Sequence, residues 1–170
     1  MKPVEVTHRG HIEALLSEAA AAHASLLEQL PPELGESLPV DAQGVTHAID
    51  HLAEAAGLSE GERRALIRPH AINPAVLHAR VYGIHPPAPS LTRETVVASF
   101  VEGARVRADA LLALADAVGG EALGQEVRRA LVADPPPADA AWPDAVSALR
   151  ATYAAHERVV VMIADRLDRS

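Results

Sequence analysis

Apolar residues recur at alternating spacings of three and four along most of the chain, which is the period of an amphipathic helix. The pattern predicts four long helices and two short ones, the long helices over residues 9–30, 41–56, 92–118 and 143–167 and the short ones over residues 59–68 and 121–132. The last helix carries the most regular apolar stripe. These segments cover most of the chain and leave little of it for strands.

Glycine, serine and proline mark the ends of the predicted helices. Most prolines lie between the predicted helices. This agrees with the predicted boundaries, because proline is poorly tolerated inside a helix and biases the residue before it away from helix. Gly57 is predicted to end the second helix. Ser59 and Glu62 form a capping-box pattern that opens the next helix. Gly119 and Gly120 are predicted to end the third long helix.

The element pattern predicts an all-α protein. Four long amphipathic helices are typical of a four-helix bundle, here a single domain spanning residues 1–170 with short extra helices. The connection between the second and third long helices, about 35 residues, is long enough to cross the bundle from end to end. It therefore permits a parallel crossover. The 35 alanines and 19 leucines agree with a helical chain.

Composition excludes several classes of protein. The chain is 49% hydrophobic, with a mean hydropathy of +0.07, which argues against a disordered protein. Its net charge of −8 disfavours nucleic-acid binding. The absence of cysteine removes disulfides and thiolate chemistry. No apolar run is long enough for a membrane span, and the first residues lack a signal peptide's apolar centre, so we expect a cytoplasmic protein with no membrane partner.

Nine histidines are the most unusual polar feature of the chain. His47 and His51 are spaced i, i+4, so on a helix they project from the same side and could share one metal ion. The helical wheel sets His51 on the flank of the apolar stripe and His47 further towards solvent. His156 occupies an apolar seam position on the last helix. It is either a hydrogen-bonded core histidine or a ligand inside the bundle.

The remaining histidines give weaker signals. His8 and His11 flank the start of the first helix and His23 lies on that helix; these three are expected at ordinary edge and surface positions. Three more lie in the proline-rich segment 68–90, where a site would form across the mouth of the bundle, although their spacing does not require one: His70, His78 and His85.

Motifs of several enzyme classes are absent from the sequence. It contains no phosphate-binding glycine loop, no His-Glu-x-x-His and no Gly-x-Ser-x-Gly. Paired Glu-x-x-His motifs, which a carboxylate-bridged di-iron bundle needs, are also absent.

Three stretches, in order along the chain, carry a family resemblance. The first is residues 27–33 leading into 44–54, with a His-Leu-Ala step at His51. The second is residues 87–92 followed by 104–105 and 110–114, and the third is the run from Ala155 to Val160. Together they resemble the DinB/YfiT-like superfamily of four-helix bundles, which includes thiol S-transferases and mycothiol-dependent maleylpyruvate isomerases. The resemblance spans most of the chain, although each stretch alone is generic.

The resemblance implies a metal site with three histidine ligands. His51 matches the ligand on the second helix, and His156 matches the first ligand on the fourth helix. Val160 stands where the second ligand of that helix is expected, and valine has no donor atom. Either His47 or a carboxylate such as Glu157 replaces the missing ligand, or the site is empty. A bound ion would be divalent, zinc or nickel.

Three functions follow from these observations. The first is a DinB-like protein with a degenerate metal site that acts as a small-molecule-binding or interaction module. The second is a metal-dependent thiol S-transferase or isomerase, in which His51 and His156 hold the ion and a low-molecular-weight thiol takes an open position. The third is an unrelated helical bundle whose histidines are incidental. By the resemblance, and because Ala-rich faces permit close helix contact, we expect a homodimer.

Overall fold

The structure, a computed structural model, describes residues 6–28, 43–66, 93–131 and 140–170. This part of the chain is helical and contains no strand, which confirms the predicted all-α class. Its helices are α1 (His8–Glu28), α2 (Gln43–Ala55), α3 (residues 60–66), α4 (Arg93–Ala130) and α5 (Trp142–Arg169). Residues 67–92, which make up most of the predicted crossover connection and include His70, His78 and His85, lie outside the described residues, as do residues 29–42. None of the described helices is long and apolar enough to cross a membrane.

The predicted helix ends between α2 and α3 are confirmed in atomic detail. Gly57 adopts a φ of +83°, and its N–H donates to the Glu54 carbonyl while the Leu58 N–H donates to the Ala53 carbonyl. These two bonds form a Schellman motif, which glycine favours because it has no Cβ. Ser59 accepts from the Glu62 N–H at 3.2 Å and donates its own N–H to the Glu62 carboxylate at 2.7 Å, as the capping box requires.

The predicted break near residue 120 is also present, although the helix resumes at once. Gly120 has a φ of +66° and a ψ of −159°, outside the helical region, so α4 consists of two arms joined at this residue. Only glycine adopts this conformation readily. The two predicted helices over residues 92–118 and 121–132 are therefore the two arms of α4.

The long helices share one core. α1 packs on α2 and α5, α2 also packs on α4 and α5, and α4 packs on α5. All four supply fully buried side chains to the same apolar cluster, among them Ile12, Ile49, Leu52, Leu111, Leu114, Val159, Val160 and Ile163. Burying this apolar area is the main force that holds the helices together.

α1 runs antiparallel to both α2 and α5. At its start, the backbone N–H of His8 donates to the carboxylate of Asp168, near the end of α5, at 2.8 Å. Further along, α1 approaches the start of α2 so closely that a Cβ atom at Gly44 would lie 2.8 Å from the Cβ atom of Ala19. The start of α1 and the ends of α2 and α5 therefore meet at one end of the molecule.

Candidate functional site

The two predicted ligands on α2 differ in their surroundings. His47 is exposed, and His51 one turn later is half-buried, as the helical wheel predicts. The ring of His51 contacts the side chains that begin α1. The Nε2 atom of His51 lies 3.4 Å from the Nδ1 atom of His8, and its ring centroid lies 4.2 Å from that of His11. We call His8, His11 and His51 the histidine cluster.

The start of α1 is held in place by capping groups from two elements. The hydroxyl of Thr7 accepts the N–H of Gly10 at 3.0 Å. Asp168 accepts the N–H groups of both His8 and Arg9, which are free at a helix start because they have no partner within the helix. These bonds lower the pKa of the Asp168 carboxyl. Because α5 caps α1, His8 is placed beside α2.

The histidine cluster favours uncharged imidazole at His51. Partial burial lowers the pKa of His51 most, and positive charge on His11 and then on His8 lowers it further. Asp50 and Glu54 on the same helix act in the opposite direction. At neutral pH the ring nitrogens are therefore available as metal ligands or hydrogen-bond partners.

His156 lies elsewhere in the molecule, in the interior. It is only 2% exposed, and its ring meets that of Tyr153 edge-on, with the centroids 5.9 Å apart. It stands twelve residues, or about 18 Å of helix, before Asp168, the residue that caps the start of α1. His51 and His156 thus take part in two different groups of side chains.

A second group of polar side chains is buried between α4 and α5. Arg107 is 2% exposed, and its guanidinium donates a hydrogen bond to the hydroxyl of Tyr153. The Cζ atom of Arg107 also lies 4.6 Å from the centroid of the Tyr153 ring, a cation–π distance. Gly103, one turn earlier, packs beside the guanidinium, since a Cβ there would lie 3.4 Å from Nη1 of Arg107. We call Arg107, Tyr153 and His156 the interior cluster.

The residues at the positions expected from the sequence resemblance do not fit a three-histidine metal centre. Val160 is fully buried in the apolar core and has no donor atom. Glu157, a candidate replacement, is exposed. Within the described ranges, no group of three histidines, aspartates or glutamates is arranged to hold a metal ion.

Sequence reasoning missed Arg107 and undervalued His8 and His11. A signal for Arg107 was present, because it lies three residues after Ala104 and four before Leu111, within the apolar stripe of its helix. His8 and His11 were expected at ordinary edge and surface positions. No local pattern indicates that α1 brings them to His51, since that contact depends on how the helices pack.

Comparison of the chain with known proteins gives no match: no protein-family model, no curated protein and no solved structure matches it.

Proposed function

We propose that the chain, as a single domain over residues 1–170, is a DinB/YfiT-like four-helix bundle with a long crossover that binds a small molecule. In this proposal the family's three-histidine metal centre is degenerate because position 160 is valine. The ligand carries a carboxylate or another oxyanion and binds at the interior cluster. The observation that carries the proposal is the burial of the Arg107 guanidinium between two helices.

A buried arginine points to an anionic ligand for a physical reason. The guanidinium stays charged at any physiological pH, and removing a charge from water costs several kcal/mol unless other groups stabilise it. The Tyr153 hydroxyl and ring stabilise part of this charge, and an anionic ligand would stabilise it further. Arginine is the residue best suited to hold a carboxylate or phosphate, because its planar fork of N–H donors matches two oxygens.

The neighbours of Arg107 suit such a site. The Tyr153 hydroxyl accepts one guanidinium N–H and holds the group in a fixed orientation. His156 packs edge-on against the Tyr153 ring and adds a polar side chain to the same buried region. Around them, buried aliphatic side chains such as Leu149 lower the local dielectric and strengthen the attraction between Arg107 and an anion.

Isothermal titration calorimetry with acetate, succinate and phosphate tests the proposal, with the uncharged succinamide as a ligand control. The matched variants are Arg107→Met and Arg128→Met. Both remove one positive charge from α4, but Arg128 is exposed. We expect at least one of the anions to bind the wild type and Arg128→Met, and to lose binding in Arg107→Met with an unchanged circular dichroism spectrum. Absence of binding for all three anions, or equal binding by both variants, would overturn the proposal.

A second candidate function is the metal-dependent thiol S-transferase or isomerase implied by the resemblance. The observation that favours it is the burial of His156 at the position that matches a family ligand. It requires zinc or nickel bound by His51 and His156, with His47 as the replacement ligand. Because His51 belongs to the histidine cluster and His156 to the interior cluster, a rearrangement of the helices would have to bring them to one ion. Close to one ion per chain, lost in His156→Ala and accompanied by turnover of a low-molecular-weight thiol, would support this function over the first.

The homodimer is also a proposal. The chain's Ala-rich helix faces and the family resemblance support it. Light scattering coupled to size-exclusion chromatography distinguishes a dimer of about twice 17.9 kDa from a monomer.

A further inference from the structure

We infer that the histidine cluster, His8, His11 and His51, is a binding site for a divalent first-row transition-metal ion. This site is separate from the interior cluster and does not depend on the proposed function. It also differs from the site that the resemblance implies, because its ligands come from α1 and α2 and exclude His156.

The spacing of two ring nitrogens carries the inference. Zinc binds histidine nitrogens at about 2.0–2.1 Å in a tetrahedron, which separates two such ligands by about 3.3–3.4 Å. The Nδ1 atom of His8 and the Nε2 atom of His51 lie 3.4 Å apart. A divalent ion beside both atoms would bridge α1 and α2, whose residues here are 43 positions apart in sequence.

His11 supplies the third imidazole. It lies one turn after His8 on the same helix, and its ring packs at 30° to the ring of His51. The three groups do not surround a common point as they stand. Metal binding by all three therefore requires a rotation of the His11 ring, which is exposed, whereas His8 and His51 are half-buried.

The ligand atoms of the cluster are its imidazole nitrogens. The neighbouring carboxylates are already engaged, since Asp50 and Glu54 pair with Arg63 and Asp168 caps the start of α1. Imidazole nitrogens suit zinc, copper, nickel and cobalt, whereas calcium and magnesium prefer oxygen ligands. The histidine cluster therefore favours these transition-metal ions over calcium and magnesium. In the absence of metal, the pair His8 and His51 retains a hydrogen bond if one ring donates and the other accepts.

Cobalt(II) is the probe for this site, because its visible absorption reports coordination by the protein. Untagged protein is freed of metal with a chelator, dialysed, and titrated with Co²⁺, with bound cobalt measured by equilibrium dialysis. We expect about one tightly bound Co²⁺ per chain, displaced by Zn²⁺. Binding should be lost in His8→Ala and in His51→Ala, and weakened in His11→Ala.

His47→Ala is the matched control, since His47 lies one turn from His51 on the same helix and is exposed. Circular dichroism verifies that each variant is folded, and the metal should raise the melting temperature of the wild type but not of His8→Ala. Binding retained in both His8→Ala and His51→Ala, or lost equally in His47→Ala, would overturn the inference. Cobalt binding that needs His156 but not His8 would overturn it as well. Absence of cobalt binding would not bear on anion binding at Arg107, so the two proposals are tested separately.

Discussion

Arg107 on α4 and Tyr153 on α5 contact each other in two ways. The guanidinium donates a hydrogen bond to the phenol oxygen, and its Cζ atom lies 4.6 Å from the centre of the phenol ring. Both residues are 2% exposed, so the two helices are joined in the interior by a charged group and an aromatic ring. A hydrogen bond to a charged group stabilises more than one between neutral groups, because the full charge on the donor strengthens its attraction to the acceptor oxygen.

Tyr153→Phe should therefore destabilise the protein while keeping the ring contact. We expect a loss of about 1.5–3 kcal/mol in the free energy of unfolding, the usual range for a hydrogen bond to a charged group. Urea denaturation measures it. Arg107→Met, alone and combined with Tyr153→Phe, completes a double-mutant cycle. The double variant should lose less than the sum of the single losses, and strict additivity would contradict the contact.

The close approach of α1 and α2 at Gly44 predicts a second effect on stability. Gly44→Ala places a methyl group 2.8 Å from the Cβ atom of Ala19, so the helices must move apart. We expect a loss of about 1–3 kcal/mol, as for other overpacked cores. Gly61→Ala is the control, because a Cβ at this exposed helical position is 4.0 Å from its nearest neighbour. That variant should be neutral or more stable by up to about 1 kcal/mol. Equal effects of the two substitutions would argue against the close packing.

The capping box at the start of α3 predicts a dependence on pH. The Ser59 backbone N–H, and then its hydroxyl, lower the pKa of the Glu62 carboxyl below that of the unfolded chain. Its contribution to stability is thus present above the unfolded value of about 4.3 and is lost as the pH falls through the lower folded value. Ser59→Ala should raise the pKa of Glu62 in an NMR titration and weaken the amide protection of α3 at pH 7. An unchanged Glu62 pKa in that variant would show that the Ser59 hydroxyl does not stabilise the carboxylate, because the substitution keeps the backbone N–H.

The sequence predicts best those features that depend on neighbouring residues. Gly57, Ser59 with Glu62, and Gly120 each act within a few positions, so their patterns indicate a helix end or break without knowledge of the rest of the fold. The burial of His156 follows from its place in an apolar stripe. These expectations agree with the structure because helix caps and helical periodicity are local properties.

The sites depend on contacts between helices and are harder to predict. The contact between His8 and His51 requires α1 to lie antiparallel to α2, and Asp168 fixes it from the far end of the chain. Arg107 stands within an apolar stripe, where a charged residue signals a buried contact, but its partner Tyr153 is 46 positions away. A single sequence does not indicate which helix faces which, and so these partners are seen only in the folded structure.

The most direct test of the central claim is an NMR titration of ¹⁵N-labelled protein with succinate, which follows the arginine Nε–Hε signals. The Arg107 signal is assigned by its absence in Arg107→Met, and the Arg128 signal by its absence in Arg128→Met. If the interior cluster binds an anion, the Arg107 signal and the ring signals of His156 shift together and saturate at one ligand concentration, while Arg128 stays unchanged. If only exposed arginines such as Arg128 shift, without saturation, the interior cluster is a structural contact between α4 and α5 and the proposed function is wrong.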